Sequence, residues 1–253
     1  MKDPKLFSRR ELIIGGGAAL GGLLLSGCSR KVVAAPTYGN ILRVADNFTF
    51  AAHRALLPGQ KLAREYTHRD ISSIPLTSID PGDPTKPHAN GSYRQLSSSG
   101  FADWHISIEG SVARPGLYSL ADLKRFPSST QITRITCEEG WTAIAEWTGV
   151  PLSRVLDAAG LSLSARCVCF YSYDDWADSL DMLDALHPQT ILAYGMNGKE
   201  LDVARGAPLR LRVATQLGYK SMKYLQRIVV KDEFDDGGDK GNPKNGWAWY
   251  AGI

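Results

Sequence analysis

Residues 132–152 read Ile-Thr-Arg-Ile-Thr-Cys-Glu-Glu-Gly-Trp-Thr-Ala-Ile-Ala-Glu-Trp-Thr-Gly-Val-Pro-Leu. Its first part alternates apolar and polar side chains, which is typical of a β-strand with one buried face. Cys137 comes at the end of that alternating run, and the pair Gly140-Trp141 follows it closely. A thiol just past the end of a strand is positioned to point at a bound group.

The N-terminus has the features of an export signal. Arg9 and Arg10 precede an apolar run that is too short and too rich in glycine for a membrane span. The run ends in Leu25-Ser26-Gly27-Cys28, which resembles the lipoprotein cleavage box of bacteria. This order predicts a twin-arginine signal over residues 1–27 and a lipid anchor at Cys28. The alternative is a cytosolic chain with a chance Arg-Arg pair.

The twin-arginine route exports folded proteins, commonly with a cofactor already inserted, so the signal favours a cofactor-containing protein. It predicts a location on the periplasmic or cell-surface side of the bacterial inner membrane and the twin-arginine export machinery as a partner. The whole chain has a net charge of +3, and removing residues 1–27 leaves +1. A charge this near zero gives no support for nucleic-acid binding.

Composition and turn signals predict the domain organisation. Of the 253 residues, 43% are apolar and 22% are charged, which suits one large domain or two small ones. We predict a tether over residues 28–45, one folded domain over residues 46–232, and a tail over residues 233–253 that packs on it. Short strands and helices separated by glycine and proline predict an α+β fold made mostly of β-sheets, with short helices.

Local patterns predict individual elements of this fold. Ser119 and Asp122 form the capping box of a short helix, Gly160 ends a second helix, and Asn197-Gly198 is a hairpin turn. Strands are predicted over residues 104–110, 131–137, 165–173, 190–196, 209–214 and 225–230. Residues 77–100 are predicted as a long loop, 55–70 as a helix interrupted by Pro58-Gly59, and 180–185 as a helical turn.

Three cysteines remain once Cys28 is assigned to the lipid anchor. Cys167 and Cys169 share one face of a predicted strand, near the upper limit of disulfide geometry, and are interpreted as small buried apolar residues rather than a bridge or a metal pair. Cys137 then has no obvious disulfide partner. A lone thiol in an oxidising compartment needs a reason to survive, and coordination to a metal is one.

A basic run lies between residues 203 and 230, without an acidic residue: Arg205, Arg210, Arg212, Lys220, Lys223 and Arg227. The run alternates with strand-forming residues, so about half of it faces inward. Gly206 and Gly218 allow backbone N–H groups to approach an anion closely. The run therefore favours a buried anionic ligand over a solvated surface.

Together, the thiol and the basic run predict a metal that is held by one cysteine and by an anionic ligand. Zinc would take three or four protein ligands, and the five histidines have no metal-binding spacing to Cys137. A Cys/His nucleophile pair stays open, because distance in sequence does not restrict it.

Two motifs in fixed order resemble the molybdopterin-binding domain of the sulfite oxidase family. The first motif consists of Ile-Thr-Cys-Glu-Glu-Gly-Trp (135–141) and Trp-Thr-Gly-Val-Pro-Leu (147–152). The second motif consists of Gly-Ala-Pro-Leu-Arg-Leu (206–211) and Gly-Tyr-Lys-Ser-Met-Lys (218–223). The resemblance covers roughly residues 45–232. Within that family the chain is most similar to the exported bacterial branch that includes the periplasmic protein-methionine-sulfoxide reductases.

The resemblance implies a molybdenum–molybdopterin cofactor, with Cys137 as the metal ligand and catalytic residue. It also implies cofactor contacts at Asn47, His53, Ser172, Arg205, Arg210, Ser221, Met222 and Lys223. Arg205 departs from the family pattern, in which Asn or His occupies this position. Trp141 and Trp147 either wall the pocket or, as is favoured, pack in the core. Glu138 and Glu139 either handle protons near the metal or cap a loop.

The resemblance also implies two-electron oxygen-atom transfer, with reduction of a sulfoxide or similar oxo substrate favoured. Electrons would come from a membrane cytochrome b or quinol-linked partner. Oxidation of sulfite or another small anion, and a non-catalytic cofactor-binding lipoprotein, are the alternatives.

Overall fold

The computed structural model describes residues 41–57, 61–76, 80–87, 89–235 and 247–253. The predicted signal, Cys28 and residues 29–40 of the predicted tether lie outside the described residues. None of the described helices is both long and apolar enough to cross a bilayer.

Short strands and short helices make up the described part of the chain, and this confirms the predicted α+β fold. The strands are β1 (His105–Gly110), β2 (Gly116–Ser119), β3 (Ser129–Thr136), β4 (Thr142–Pro151), β5 (Cys167–Ser172), β6 (Ala177–Asp181), β7 (Thr190–Met196), β8 (Lys199–Glu200), β9 (Arg210–Val213) and β10 (Leu225–Lys231). The helices are α1 (Ile41–Leu56), α2 (Gly91–Ser98), α3 (Leu120–Arg125), α4 (Leu152–Ala159) and α5 (Met182–Ala185).

The strands form two sheets. One has the order β2-β1-β10-β5-β6, and the other has the order β3-β4-β7-β8, with β9 also paired to β7. The β1–β10 pair is parallel, and the other described strand pairs are antiparallel. The pairing of β1 with β10 joins strands that are more than a hundred residues apart in sequence, so this sheet closes only when the whole domain folds.

Helix α4 shows how local pattern leads to packing. Its buried side chains are Leu152, Val155, Leu156 and Ala159, which lie on one helical face and join the main apolar core. The helix ends at Gly160, which adopts φ +76° as the C-terminal cap. The predicted stop at this glycine is confirmed.

Strand β5 is buried on both faces, as its uninterrupted apolar sequence indicates. Cys167 and Cys169 are fully buried free thiols, as predicted. The Cys167 thiol donates to the Glu233 carbonyl oxygen at 3.2 Å. These two cysteines are therefore packed within the sheet and do not form a bridge.

Two further local predictions are confirmed. Ser119 and Asp122 form the capping box at the start of α3. Asn197 and Gly198, with φ of 51° and 73°, form the turn between β7 and β8.

Strand β4 occupies residues 142–151, where the sequence predicted no strand. These residues form the longest described strand, which pairs with β3 on one side and β7 on the other. The strand was missed because Gly149 and Pro151, which normally mark turns, lie inside the hydrogen-bonded pairing of β4 with β7. Gly149 is required there because the backbone of β7 passes very close to it.

The helical predictions also need correction. Helix α1 begins at Ile41, so residues 41–45 of the predicted tether are helical, and the described residues 61–67 are not. Helix α2 lies inside the predicted loop of residues 77–100, because Asn90 caps it by accepting from the Tyr93 amide. Residues 180 and 181 end β6, so only the second part of the predicted 180–185 turn is helical.

We predict that Gly149→Ala lowers the free energy of unfolding by about 1–3 kcal/mol through overpacking. A Cβ atom there would lie 2.2 Å from the Leu192 carbonyl oxygen and 2.7 Å from the Ala193 Cα atom, both in the backbone of β7. Urea unfolding should show the loss as a lower midpoint with little change in slope.

Gly116→Ala is the matched control for this substitution. It also lies in a strand, β2, and a Cβ atom there would meet nothing within 4 Å. Equal midpoints for the two variants would contradict the close β4–β7 approach.

Candidate active site

One cavity of about 320 Å³ collects most of the predicted site residues. Its wall comes from the turn after β3, from β9 and from the turn between β9 and β10. The predicted residues on it are Cys137, Arg205, Arg210, Ser221, Met222 and Lys223. These side chains are up to 86 residues apart in sequence, so the two sheets bring them together.

Cys137 lies in the tight turn that joins β3 to β4. Its amide donates to the Trp141 carbonyl oxygen at 2.9 Å, and the Gly140 amide donates back to the Cys137 carbonyl oxygen at 3.1 Å. Gly140 has φ +90°, which a side chain would disfavour. The turn thus holds the half-buried thiol at the cavity, at the strand end that the sequence predicted.

Two carboxylates flank this thiol. The Cys137 Sγ atom lies 3.4 Å from Glu138 Oε2 and 3.7 Å from Glu139 Oε2. Burial, with the two carboxylates adding to it, raises the pKa of the thiol to about 11. The group therefore keeps its proton at neutral pH unless a cation binds to it.

The described histidines do not support a Cys/His nucleophile pair. His53, His68, His105 and His187 do not line the cavity, and His88 lies outside the described residues. In the described part of the chain there is also no group of three or more His, Cys, Asp or Glu side chains that could hold a metal ion. A metal at Cys137 would thus need most of its ligands from a cofactor.

Arg210 brings a buried positive charge to the cavity wall. It is 4% exposed and donates to the carbonyl oxygens of Ser221 at 2.8 Å and Arg205 at 3.1 Å. Its Nε atom is buried without a hydrogen-bond partner among the described residues. Burial lowers the pKa of Arg210 to about 10, and its guanidinium lies 4.9 Å from the centre of the Trp147 ring. A buried cation with an unused donor favours an anionic ligand.

Arg212 is fully buried behind this wall. Its guanidinium donates to the carbonyl oxygens of Arg134 and Val213, both at 2.6 Å, and so ties β9 to β3. Burial and the neighbouring Arg210 lower the pKa of Arg212 to about 9. The Arg212 guanidinium lies 5.6 Å from the centre of the Trp147 ring, so this indole contacts the charges of both Arg210 and Arg212.

Lys223 and Arg205 add two more cations. Lys223 Nζ donates to the Ala204 carbonyl oxygen at 3.2 Å, and burial together with Arg210 and Arg205 lowers the pKa of Lys223 to about 7. Arg205 donates to the carbonyl oxygens of Ile74 and Pro75 at 2.7 and 3.2 Å. It therefore also holds residues 74–75, which form part of the wall.

The other members of the basic run pair with groups away from the cavity, so about half of the run serves the cavity. Lys220 is buried in an ion pair with Asp178, and Arg227 lies on the sheet surface 3.8 Å from Glu109. Only Arg205, Arg210 and Lys223 reach the cavity.

Three predicted contact residues lie off the cavity wall. The Ser172 hydroxyl donates to the Asp174 carboxylate, and the Ser172 amide donates to the Trp176 carbonyl oxygen at 3.1 Å; those two partners do line the cavity. His53 instead lines a second pocket of about 170 Å³ and lies 3.2 Å from the Tyr250 hydroxyl. Asn47, on α1, does not line the main cavity. The cofactor contacts of Asn47 and His53 therefore stay predictions.

Several wall residues were not predicted as such. They are Asp174, Trp176, Tyr219 and Trp247, together with the segment of Ile74 and Pro75. Tyr219 lies within the motif of residues 218–223, but the others carried no local signal. Trp147 is fully buried and also lines the cavity, so both interpretations of this residue hold.

The cavity fits a phosphate-bearing cofactor with a metal at Cys137. The unused donor of Arg210 and the cations of Arg205 and Lys223 suit an anionic group. At Gly218 a Cβ atom would lie 3.3 Å from the Thr136 carbonyl oxygen and 3.5 Å from the Cys137 Cα atom. The glycine thus lets the second motif pack directly against the thiol turn.

Comparison with known proteins agrees with this geometry. Residues 93–238 match the family described as the oxidoreductase molybdopterin binding domain. The chain is 37% identical to the putative protein-methionine-sulfoxide reductase subunit YedZ1 of Azospira oryzae, over 60% of this chain and 56% of that protein. It is 33% identical to the protein-methionine-sulfoxide reductase catalytic subunit MsrP of Campylobacter jejuni, over 59% and 53%.

The chain spans about half the length of the curated relatives it matches. Its fold is similar to the crystal structure of the sulfane dehydrogenase SoxCD from Paracoccus pantotrophus. That likeness has a TM-score of 0.50 and 21% identity, over 82% of this chain and 57% of that one. It concerns the fold alone.

We predict that sulfate stabilises the apoprotein through Arg210. At a sulfate concentration of 100 times Kd, the gain in free energy of unfolding should be about 2.7 kcal/mol, visible as a higher melting temperature. Arg210→Met should abolish it. Arg227→Met, an arginine outside the cavity, is the matched control, and chloride at equal ionic strength corrects for general salt effects. Equal stabilisation of both variants would place the sulfate elsewhere.

This sulfate effect should depend on pH through Lys223. Its pKa of about 7 means that the ammonium is charged below pH 7 and neutral above it. Sulfate itself does not titrate in this range, so its Kd should increase from pH 6 to pH 8.5. Lys223→Met should weaken binding at pH 6 and flatten the pH dependence. A wild-type Kd that does not change with pH would contradict the assignment.

Proposed function

The chain belongs to the oxidoreductase molybdopterin-binding family, the sulfite oxidase family, and we propose that its cavity reduces a sulfoxide by two-electron oxygen-atom transfer. Molybdenum–molybdopterin is the cofactor of this family. Its negatively charged phosphate is complementary to the basic residues of the cavity wall. When bound, it supplies a metal that can change its oxidation state by two electrons. The protein supplies the ligand, the orientation and the protons.

The cofactor would be held by residues from both motifs. Cys137 would be the thiolate ligand of the metal, and the positive charge of a metal there would offset the two adjacent carboxylates. Arg210, Lys223 and Arg205 would bind the anionic groups, with Ser221 and Met222 contributing wall and backbone. Ser172 would act indirectly, because it positions the wall residues Asp174 and Trp176 through hydrogen bonds.

The two carboxylates beside Cys137 favour a neutral substrate over an anionic one. A sulfite dianion that approaches this thiol would meet like charges at Glu138 and Glu139, whereas a sulfoxide is neutral. Reduction of a sulfoxide to a sulfide and water also consumes two protons. Glu138 and Glu139 are placed to carry protons to that oxygen, and Trp141 Nε1 orients Glu139 by donating to it at 2.9 Å.

Relatives named protein-methionine-sulfoxide reductases support a sulfoxide as the substrate class. Oxidation of sulfite or another small anion remains the second candidate, because Arg205, Arg210 and Lys223 share the same cavity. Binding of the cofactor without catalysis is the third.

The two electrons must come from a donor outside the cavity, and we propose a membrane cytochrome b or quinol-linked protein. We also propose export by the twin-arginine machinery, a lipid anchor at Cys28 and a periplasmic location, supported by the sequence of residues 8–28. If the exported protein does not exchange electrons with membrane haem proteins, the proposed electron donor is wrong.

We predict about one molybdenum atom per chain in the exported protein, measured by metal mass spectrometry, because one thiol serves one cofactor. With a reduced dye as donor, the protein should reduce methionine sulfoxide or dimethyl sulfoxide and should oxidise sulfite poorly. Cys137→Ser should lose turnover and have lost or altered metal content, since a hydroxyl is a weaker ligand.

Cys169→Ser is the control for loss of a thiol, because Cys169 is buried in β5 away from the cavity. Zinc, or no metal in well-folded protein, would refute the cofactor assignment. Molybdenum with efficient sulfite turnover would favour the second candidate, and molybdenum without any turnover the third.

A further inference from the structure

The C-terminal segment of residues 247–253 reaches the cavity although it lies beyond the matched family domain of residues 93–238. Its first residue, Trp247, lines the cavity together with Trp176 and Tyr219. The segment therefore contributes to the site that the domain forms, and its attachment decides how firmly Trp247 is placed.

Backbone pairing attaches the end of this segment to residues 215–217, just before Gly218. The Leu217 amide donates to the Ala251 carbonyl oxygen at 2.9 Å, and the Ile253 amide donates to the Thr215 carbonyl oxygen at 3.0 Å. The side chain of Gln216 accepts from the Ala251 amide at 3.1 Å. Residues 251–253 thus lie antiparallel to residues 215–217, joined by the isolated β-bridge between Gln216 and Gly252.

Two side chains of the second motif hold the segment nearer to the cavity. Tyr219 donates its hydroxyl to the Ala248 carbonyl oxygen, and Lys220 donates to the Trp249 carbonyl oxygen, each at 2.7 Å. Lys220 is 1% exposed and is itself fixed by its ion pair with Asp178. The residues that directly follow Trp247 are therefore anchored to the same turn that lines the cavity.

The side chain of Trp247 packs against two other aromatic wall residues. Its ring centre lies 4.9 Å from that of Tyr219 and 5.2 Å from that of Trp176, in tilted and edge-to-face arrangements. Such contacts fix the indole within a continuous aromatic surface. Aromatic surfaces bind methyl and sulfur groups well and give nothing specific to a small inorganic anion.

We propose that Trp247 is a specificity-determining residue that contacts the alkyl groups of the substrate. This proposal rests on the proposed sulfoxide reduction and deepens it, because it assigns the aromatic wall to recognition of an organic sulfoxide. Arg210 and Lys223 serve the cofactor, whereas Trp247, with Trp176 and Tyr219, selects a substrate that carries carbon on its sulfur.

The test compares Trp247→Ala and Trp247→Phe in the full-length, molybdenum-loaded protein. We expect Trp247→Ala to raise the KM for methionine sulfoxide by about 10-fold, the scale of selection by an apolar contact, with little change in kcat. The molybdenum content of both variants should match that of the wild type. Trp247→Phe, which keeps an aromatic ring, should have a KM close to that of the wild type. Ile253→Ala, at the exposed end of the same segment, should leave KM unchanged.

An unchanged KM in Trp247→Ala would overturn the proposal, and so would loss of molybdenum, which would make Trp247 a support of the cofactor. Dimethyl sulfone gives a readout without turnover, because it keeps both methyl groups. If the wild type reduces no sulfoxide, the proposed function fails, but the sulfone still decides this proposal. If dimethyl sulfone raises the melting temperature of the wild type but not of Trp247→Ala, the role of Trp247 is supported. If it does not raise the melting temperature of the wild type, that role is overturned.

Discussion

Burial of two guanidinium groups on β9 constrains much of this structure. Arg210 and Arg212 have no carboxylate partner among the described residues, so backbone carbonyl groups must accept most of their hydrogen bonds. Burying charges in this way costs several kcal/mol unless donors and acceptors match closely. The acceptors come from β3 and from the second motif, and this is how the β9 charges connect the thiol turn to the rest of the cavity. The cost is understandable where an anionic ligand completes the arrangement.

Charges of both signs meet in the resulting cavity. Arg205, Arg210 and Lys223 make one part of the wall strongly positive, while Glu138 and Glu139 surround the thiol with negative charge. A metal with an anionic cofactor satisfies both parts at once, since the metal suits the carboxylates and the phosphate suits the cations. The lowered pKa of Lys223 and the raised pKa of Cys137 have the same origin, because each group is buried and lies beside charges that disfavour its ionised form.

The two ends of the described chain complete the domain by packing on each other. Phe50 on α1 contacts Trp249 and Tyr250 with ring centres 4.9 and 5.2 Å apart. Arg54 on the same helix joins Asp181 and Asp184 through hydrogen bonds of 2.7 Å each. Both carboxylates belong to the region of β6 and α5. Helix α1 thus supports the segment that carries Trp247.

Local signals in the sequence were enough to predict the α+β class, the capping box of α3, the glycine stop of α4, the Asn197-Gly198 turn and the motif residues on the cavity wall. These features depend on neighbouring residues or on motifs that keep their own spacing. Strand β4, the internal partner of Lys220 and the aromatic wall with Trp247 depend on residues far away in sequence. Gly149 and Pro151 signal a turn until β7 lies beside them, and Trp247 looks like any exposed aromatic until residues 215–220 bind its segment. Pairing between distant residues decides these features, and no local pattern encodes it.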